Sequence, residues 1–443
     1  MKTRIIITVF CALLLLCTFP GCSSNADEPG ISLIDWNDRD GRAGQLVAAL
    51  VNEDYSIARE GFDAAMKRGL STNALKKVWG DMIADAGEFN SISGTETIPH
   101  DEYEIYEVLS QHETLGIITR IVFSSDGLVA GLFFRFADNP IEWDMTPVQK
   151  DGYTEISVVI GEGSDYPLNG IISMPDNAPD KLPAVVIVHG SGPIDMNGTV
   201  FGITVYKDIA EHLAQNGIAV LRYNKRTFSH GLKLDAEYGD NFTVREETID
   251  DAVLAKYILE QDERIDSARI FVLGHSLGGM LAPRIASEGD FAGGIIMAGS
   301  PRSLLDIIYD QNMYYLGLMD ISDDERNDIQ KQVDEARESL FTLPEAYITE
   351  MDAHPVERYL NETLKPFLIM QGGKDFQVYA DVDFALYRAM TEGRENIELR
   401  LYEGLGHLFT DSTMENPTTD DYIPGSSVNL LPLSDIVEWV KNH

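Results

Sequence analysis

The sequence predicts an α/β fold: a mostly parallel sheet of eight strands with helices on both faces and a helical insertion, preceded by a small α+β domain. Three observations lead there. From Tyr153 onward, short unbroken apolar runs such as "AVVIVHG", "RIFVLGH", "GGIIMAG" and "FLIMQGG" alternate with segments of helical periodicity. Strands that are apolar along their whole length are buried on both faces, as in a parallel sheet covered by helices. Ahead of them, the chain passes from helical periodicity to the alternation of half-buried strands, the order expected of a separate α+β module. Finally, Gly274-His275-Ser276-Leu277-Gly278 stands between an apolar strand and a helix, where the G-x-S-x-G spacing makes a sharp turn that exposes the serine.

The chain opens on a targeting segment, residues 1–22. Lys2 and Arg4 precede an apolar run from Ile5 to Phe19, which ends at Pro20-Gly21-Cys22. A run of about 15 residues is short for a membrane span, which needs roughly 20. All three cysteines, Cys11, Cys17 and Cys22, fall here, so a chain beginning at Cys22 has one thiol and no internal disulfide. "TFPGCSSN" resembles a bacterial lipoprotein signal, which implies lipidation at Cys22 and a place at the bacterial cell surface or in the periplasm. A plain secretory signal cleaved nearby is the alternative. Residues 23–44 are polar and acidic, and read as a tether with too little apolar content to pack.

Residues 45–149 form the small module. Leu46, Ala49, Leu50 and Val51 make one helical patch, and Ala74, Leu75, Val78 and Trp79 another. From Tyr103 to Phe136 the period changes to that of strands, with Ser-Ser-Asp-Gly as a turn signal. "LKKVWGDMIADAGEF" and "GLVAGLFF" give it a resemblance to the cystatin-like or nuclear-transport-factor-like module of unassigned function ahead of some bacterial hydrolases. His100 and His112 have no partner at a telling spacing.

Residues 150–443 carry the main domain. "TEISVVI" and "LNGIISM" read as an antiparallel hairpin, after which strands and helices alternate through "AVVIVHG", "IAVLRYN", "RIFVLGH", "GGIIMAG", "FLIMQGG" and "IELRLYEG". Residues 304–364 interrupt the alternation between the sixth and seventh strands. There Met313, Tyr314, Tyr315, Leu316, Leu318 and Met319 are apolar, and a charged helical face follows. They either roof a substrate pocket as a lid or simply pack the insertion onto the core. Eight strands, the first hairpin antiparallel and the serine turn after the fifth, resemble the α/β-hydrolase superfamily, closest in motif to bacterial carboxylesterases and dienelactone-hydrolase-like enzymes.

That resemblance implies a triad in the chain order Ser, Asp or Glu, His. Ser276 is the candidate nucleophile. Asp375, in "IMQGGKDFQV", and His407, in "YEGLGHLF", follow the seventh and eighth strands, at the sheet edge where α/β folds present ligands. Asp381 and Asp383 are rivals for the acid, while His230 and His354 fall in a loop and the insertion. "VHGSGPIDMNG" parallels the HGGG-type oxyanion loop, so the backbone N–H of Leu277 and that of Ser191 are the candidate oxyanion donors, with Gly190 as the alternative to Ser191. Asp195 reads as a loop anchor. "LRYNKRTFSH" departs from the Asp-Lys-Arg-Gly of related esterases, with Asn224 for the aspartate and Thr227 for the glycine. Lys225 and Arg226 are therefore either braces for the oxyanion loop or a solvated basic pair.

Acidic residues outnumber basic ones 72 to 34, a formal net charge of −38. Such a surface argues against nucleic acid and anionic bilayers as partners and disfavours anionic substrates. No phosphate-binding loop and no metal-ligand cluster appears, so neither cofactor nor metal is expected. The resemblance thus implies an exported serine hydrolase cleaving a small-molecule carboxylic ester through an acyl-enzyme, touching membrane only through a lipid anchor. A peptidase, a thioesterase or a sugar-acetyl esterase with the same triad is the alternative chemistry. A non-catalytic surface binding protein on the same scaffold is the alternative class.

Overall fold

The computed structural model describes residues 34–36, 38, 41–98, 103–112, 116–137, 145–176, 181–319 and 321–443. The signal segment with Cys22, most of the 23–44 tether and His100 lie outside the described residues. Those described belong to two compact units, within 34–137 and within 145–443.

In the smaller unit, helices α1 (Arg42–Val51), α2 (Tyr55–Ala58), α3 (Ala64–Gly69) and α4 (Thr72–Ala86) precede four strands. These are β1 (Phe89–Ile98), β2 (Glu104–His112), β3 (Gly116–Phe123) and β4 (Val129–Phe136), antiparallel in sequential order. Leu46, Val47, Leu50, Leu75 and Trp79 close against Tyr106, Val108, Ile121 and Phe123, so one sheet face meets the helices. The packed region begins earlier than the tether boundary at residue 44 implies. Ile34 and Ala43 join this core, and Arg42 is buried through an ion pair with Glu104 at 2.5 Å. Strand β1 gave no strand signal: it is an exposed edge, and two register shifts break its alternation.

Among the described residues, the main sheet of the larger unit has nine strands rather than eight. They are β5 (Val148–Gln149), β6 (Tyr153–Ile160), β7 (Leu168–Pro175), β8 (Leu182–Val188), β11 (Ala219–Tyr223), β12 (Ile265–His275), β13 (Gly294–Met297), β14 (Phe367–Gly372) and β15 (Ile397–Tyr402). A two-residue pair, β9 (Thr199–Val200) and β10 (Ile203–Thr204), stands apart. The order across the sheet is β15-β14-β13-β12-β8-β11-β7-β6-β5. Strands β8, β11, β12, β13, β14 and β15 run parallel, and β7, β6 and β5 alternate in direction. Because β5 pairs with β6, the boundary falls before Val148 and not after Gln149.

Successive residues of each central strand serve opposite faces. Val186, Val272, Ile296 and Ile369 pack with helices α7 (Asp250–Glu260) and α8 (Leu277–Glu288). Val185, Leu273, Met297 and Met370 pack with α5 (Val205–Gln215) and α14 (Leu430–Asn442). Both faces are therefore dry, and this is why the strands read as continuous apolar runs. Between β11 and α7 lies α6 (Arg226–Tyr238), broken at His230. The insertion after β13 folds into α9 (Leu304–Leu318), α10 (Asp323–Glu338), α11 (Glu345–Ala353) and α12 (Val356–Glu362). A Ser322–Glu325 capping box starts α10, whose charged face stays in water while Ile329 and Val333 are buried.

Candidate active site

Ser276 sits at the turn from β12 into α8 with φ +56° and ψ −118°, a conformation costing a non-glycine residue about 1–3 kcal/mol. Packing on both sides holds it. Its N–H donates to the Met297 carbonyl of β13 at 2.9 Å, and its carbonyl accepts the first helical bond from Met280 at 3.0 Å. A Cβ on Gly278 would lie 2.4 Å from the Val188 carbonyl oxygen, so only glycine lets α8 approach the end of β8 so closely. Ser276 is half-buried, and Leu277 behind it is the first residue of α8, where backbone N–H groups lack intrahelical acceptors.

The loops after β14 and β15 carry Asp375 and His407. Those loops touch: a Cβ on Gly372 would come 2.5 Å from the carbonyl oxygens of both Leu405 and Gly406. His407 Nδ1–H donates to Asp375 Oδ2 at 2.8 Å, with both side chains buried. In a neutral ring that bond places the proton on Nδ1 and leaves Nε2 without one. Asp375 Oδ1 also accepts from the N–H groups of Gln377 at 2.8 Å and Val378 at 2.9 Å, and Oδ2 accepts from Gln371 Nε2 at 2.9 Å. Four donors thus converge on one carboxylate. His275 ties this pair to the serine turn: its Nε2–H donates to the His407 carbonyl at 3.0 Å, and the two rings lie 4.9 Å apart. Burial, then the nearby His407, push the His275 imidazole down to about 3.

Of the two rival acids, Asp383 is occupied elsewhere. Asp383 is fully buried and accepts from Ser300, Arg302 and the Tyr379 N–H, while Asp381 is exposed. His230 bonds the Pro167 carbonyl and His354 the Tyr359 hydroxyl. Asp195 holds Thr199 through its N–H and its hydroxyl, both at 2.8 Å.

The loop after β8 is fixed from several sides. His189 Nε2–H donates to the Tyr223 carbonyl at 2.5 Å, and burial with the neighbouring Lys225 cation brings its pKa down to about 3. The Gly190 N–H donates to the Tyr206 hydroxyl at 3.0 Å, so of the two candidate donors Gly190 is already engaged. Lys225 and Arg226 are not a solvated pair. Lys225 is 1% exposed and donates to the Gly190 carbonyl at 2.8 Å, and Arg226 is buried against Asp251. Asn224, standing where related esterases have aspartate, accepts from the Met196 N–H at 2.9 Å and so also pins this loop. Across the site, Tyr314 and Tyr315 of α9 pack against Phe376, the residue after Asp375, with centroids 6.4 and 6.1 Å away.

Sequence reasoning did not find Tyr206, Gln371 or Glu247, a Lys225 partner 2.7 Å away. Gln371 had a faint signal as a polar residue ending an apolar strand. Tyr206 and Glu247 have none, since only the folded topology brings them to the loop.

A family model described as the alpha/beta hydrolase family matches residues 185–418, and one described as a protein of unknown function (DUF3887) matches residues 43–132. Over 407 residues the chain is 32% identical to esterase EstD of Thermotoga maritima, covering 90% of this chain and 95% of that protein. A second relative, the acylamino-acid-releasing enzyme of Rattus norvegicus, is 26% identical over 258 residues, 57% of this chain and 32% of that one. Among solved structures, an esterase of Pyrococcus furiosus aligns at 18% identity and a TM-score of 0.41, covering 69% of this chain and 93% of its own. The family match over more than half the chain and the near full-length similarity to EstD lead to one conclusion: this chain belongs to the alpha/beta hydrolase family.

Proposed function

We propose that the chain is a serine carboxylesterase in which Ser276, His407 and Asp375 work as a triad. The observation that carries the reading is the buried Asp375–His407 hydrogen bond beside a strained serine turn. Ser276 Oγ attacks the ester carbonyl carbon while His407 Nε2 takes its proton. Asp375 stabilises the imidazolium so formed. The developing oxyanion is held by the N–H groups of Leu277 and Ser191. The C–O bond to the alcohol breaks, His407 returns the proton to the leaving oxygen, and an acyl-Ser276 remains. Water, deprotonated by His407, then releases the acid. The similarity to a protein named an esterase supports an ester as substrate.

A peptidase reading has one supporting observation, the similarity to an acylamino-acid-releasing enzyme, which spans only a third of that relative. Lys2, Arg4 and the apolar run before Cys22 support export, with lipidation at Cys22 as the anchor. Membrane-fraction labelling by a palmitate analogue, abolished in Cys22→Ala, is the expected result for the anchor.

Hydrolysis of p-nitrophenyl acetate and butyrate by residues 23–443, compared with Ser276→Ala, tests the reaction. Loss of the nucleophile should lower kcat on the order of 10⁴-fold or more. Turnover of an N-acetylated amino-acid anilide and not of the esters would favour the peptidase.

A further inference from the structure

A buried hydrogen-bond chain runs from the oxyanion loop to the insertion, and the triad does not use it. Lys225 Nζ donates to the Gly190 carbonyl at 2.8 Å and pairs with Glu247 Oε1 at 2.7 Å. The second oxygen of Glu247 accepts from the Tyr347 hydroxyl of α11 at 2.5 Å. Lys225, Glu247 and Tyr347 are all buried. Burial and the Glu247 carboxylate raise the Tyr347 hydroxyl well above its ordinary pKa, so it stays a donor.

The chemistry of this chain turns on which peptide group Lys225 touches. The Gly190 carbonyl and the Ser191 N–H are two ends of one planar peptide unit. A cation on the carbonyl oxygen draws electron density toward that end and leaves the N–H a stronger donor, as hydrogen bonds in series polarise one another. It also fixes the tilt of the peptide plane. The other side of the loop is fixed as well, because the Gly190 N–H is held by Tyr206. Such a buried ion pair is weak evidence of a purely stabilising role, since replacing one by apolar side chains is often neutral or stabilising.

We propose that Lys225 is a positioning residue for the oxyanion hole: paired with Glu247, it orients and polarises the Gly190–Ser191 peptide so that the Ser191 N–H stabilises the tetrahedral oxyanion. This inference rests on the serine-esterase reading. Lys225 itself does not touch substrate. Its contribution appears only when negative charge develops on the carbonyl oxygen, so it acts on kcat and on tetrahedral mimics and leaves ground-state binding alone.

The test compares wild type, Lys225→Met and Lys225→Gln in residues 23–443, each checked for folding by circular dichroism and thermal unfolding. Two quantities are read: kcat and KM for p-nitrophenyl butyrate, and inhibition by an aryl trifluoromethyl ketone, whose serine adduct carries an oxyanion. Lys225→Met should lose roughly 10- to 100-fold in kcat with KM within about threefold, short of the 10²–10³ expected for losing an oxyanion donor outright. Ketone affinity should fall in parallel. Lys225→Gln, which keeps a neutral donor, should lie between, and it decides the matter if the methionine variant does not fold. Unchanged kcat and ketone affinity in a folded variant would overturn the proposal, as would a fall in kcat with ketone affinity intact. Wild-type protein that neither turns over esters nor is labelled by a fluorophosphonate would instead sink the esterase reading, and this inference with it.

Discussion

Asp375 shows most clearly what a single residue contributes to the proposed triad. Its two oxygens accept from Gln371, Gln377, Val378 and His407, and an amide in its place would have to point an NH₂ at one of these donors. Turning that NH₂ toward His407 would demand the other imidazole tautomer and move the proton onto Nε2, the base of the proposed reaction. Asp375→Asn is therefore expected to fold, with a melting temperature close to wild type, and to lose about 10⁴-fold in kcat. An activity loss under tenfold in p-nitrophenyl butyrate assays would mean the carboxylate is not the acid of the site. The pairing of Asp375 with His407 was legible in the sequence, because each follows an apolar strand that the fold ends at one edge. The basic pair was not. Lys225 and Arg226 look the same in sequence whether solvated or buried, and their partners Glu247 and Asp251 declare themselves only through tertiary contacts.

At the scale of elements, the site exists because three loops are pressed together by close backbone approaches. The approach of α8 to the end of β8 at Gly278 presses the Ser276 turn against the loop after β8, with the Val188 and His189 carbonyls 2.4 and 2.6 Å from where a Cβ would sit. Gly278→Ala should force these apart, lowering stability by about 1–3 kcal/mol and displacing the Ser191 donor. Thermal unfolding and kcat measured together check this; an unchanged kcat would separate the oxyanion loop from catalysis. Elements with both faces buried were readable, since burial writes itself into the sequence as apolar runs. Strand β1 and helix α6 were not. The first is a water-exposed edge with shifted register, and the second is polar on average and interrupted at His230. Strand β5 is only two residues long and has no pattern of its own to offer.

For the whole molecule, the buried neutral imidazoles make acid a selective destabiliser. His189 and His275 sit near pKa 3 when folded, against about 6.5 in an unfolded chain. Below pH 6.5 the unfolded state therefore binds protons that the folded state refuses. Their full contribution to stability is present above pH 6.5 and is lost as pH falls toward 3. At pH 5 each should cost about 2 kcal/mol. Urea unfolding at pH 7.5 and pH 5 should show this loss, and His189→Gln should lose about 2 kcal/mol less over the same interval; equal losses would contradict the buried neutral His189. The two-unit division was visible as a change of period along the chain, although its boundaries moved where packing, as at Ile34 and Arg42, holds residues that look like tether.

The central claim is that Ser276 is the nucleophile of an acyl-enzyme, and adduct mapping tests it most directly. Protein of residues 23–443 would be quenched in acid during p-nitrophenyl butyrate turnover, and separately after fluorophosphonate treatment, then digested for mass spectrometry. The account predicts one modified peptide in each case, with the added mass on Ser276 and none in Ser276→Ala. Adducts on another serine, or turnover without any adduct at Ser276, would contradict it.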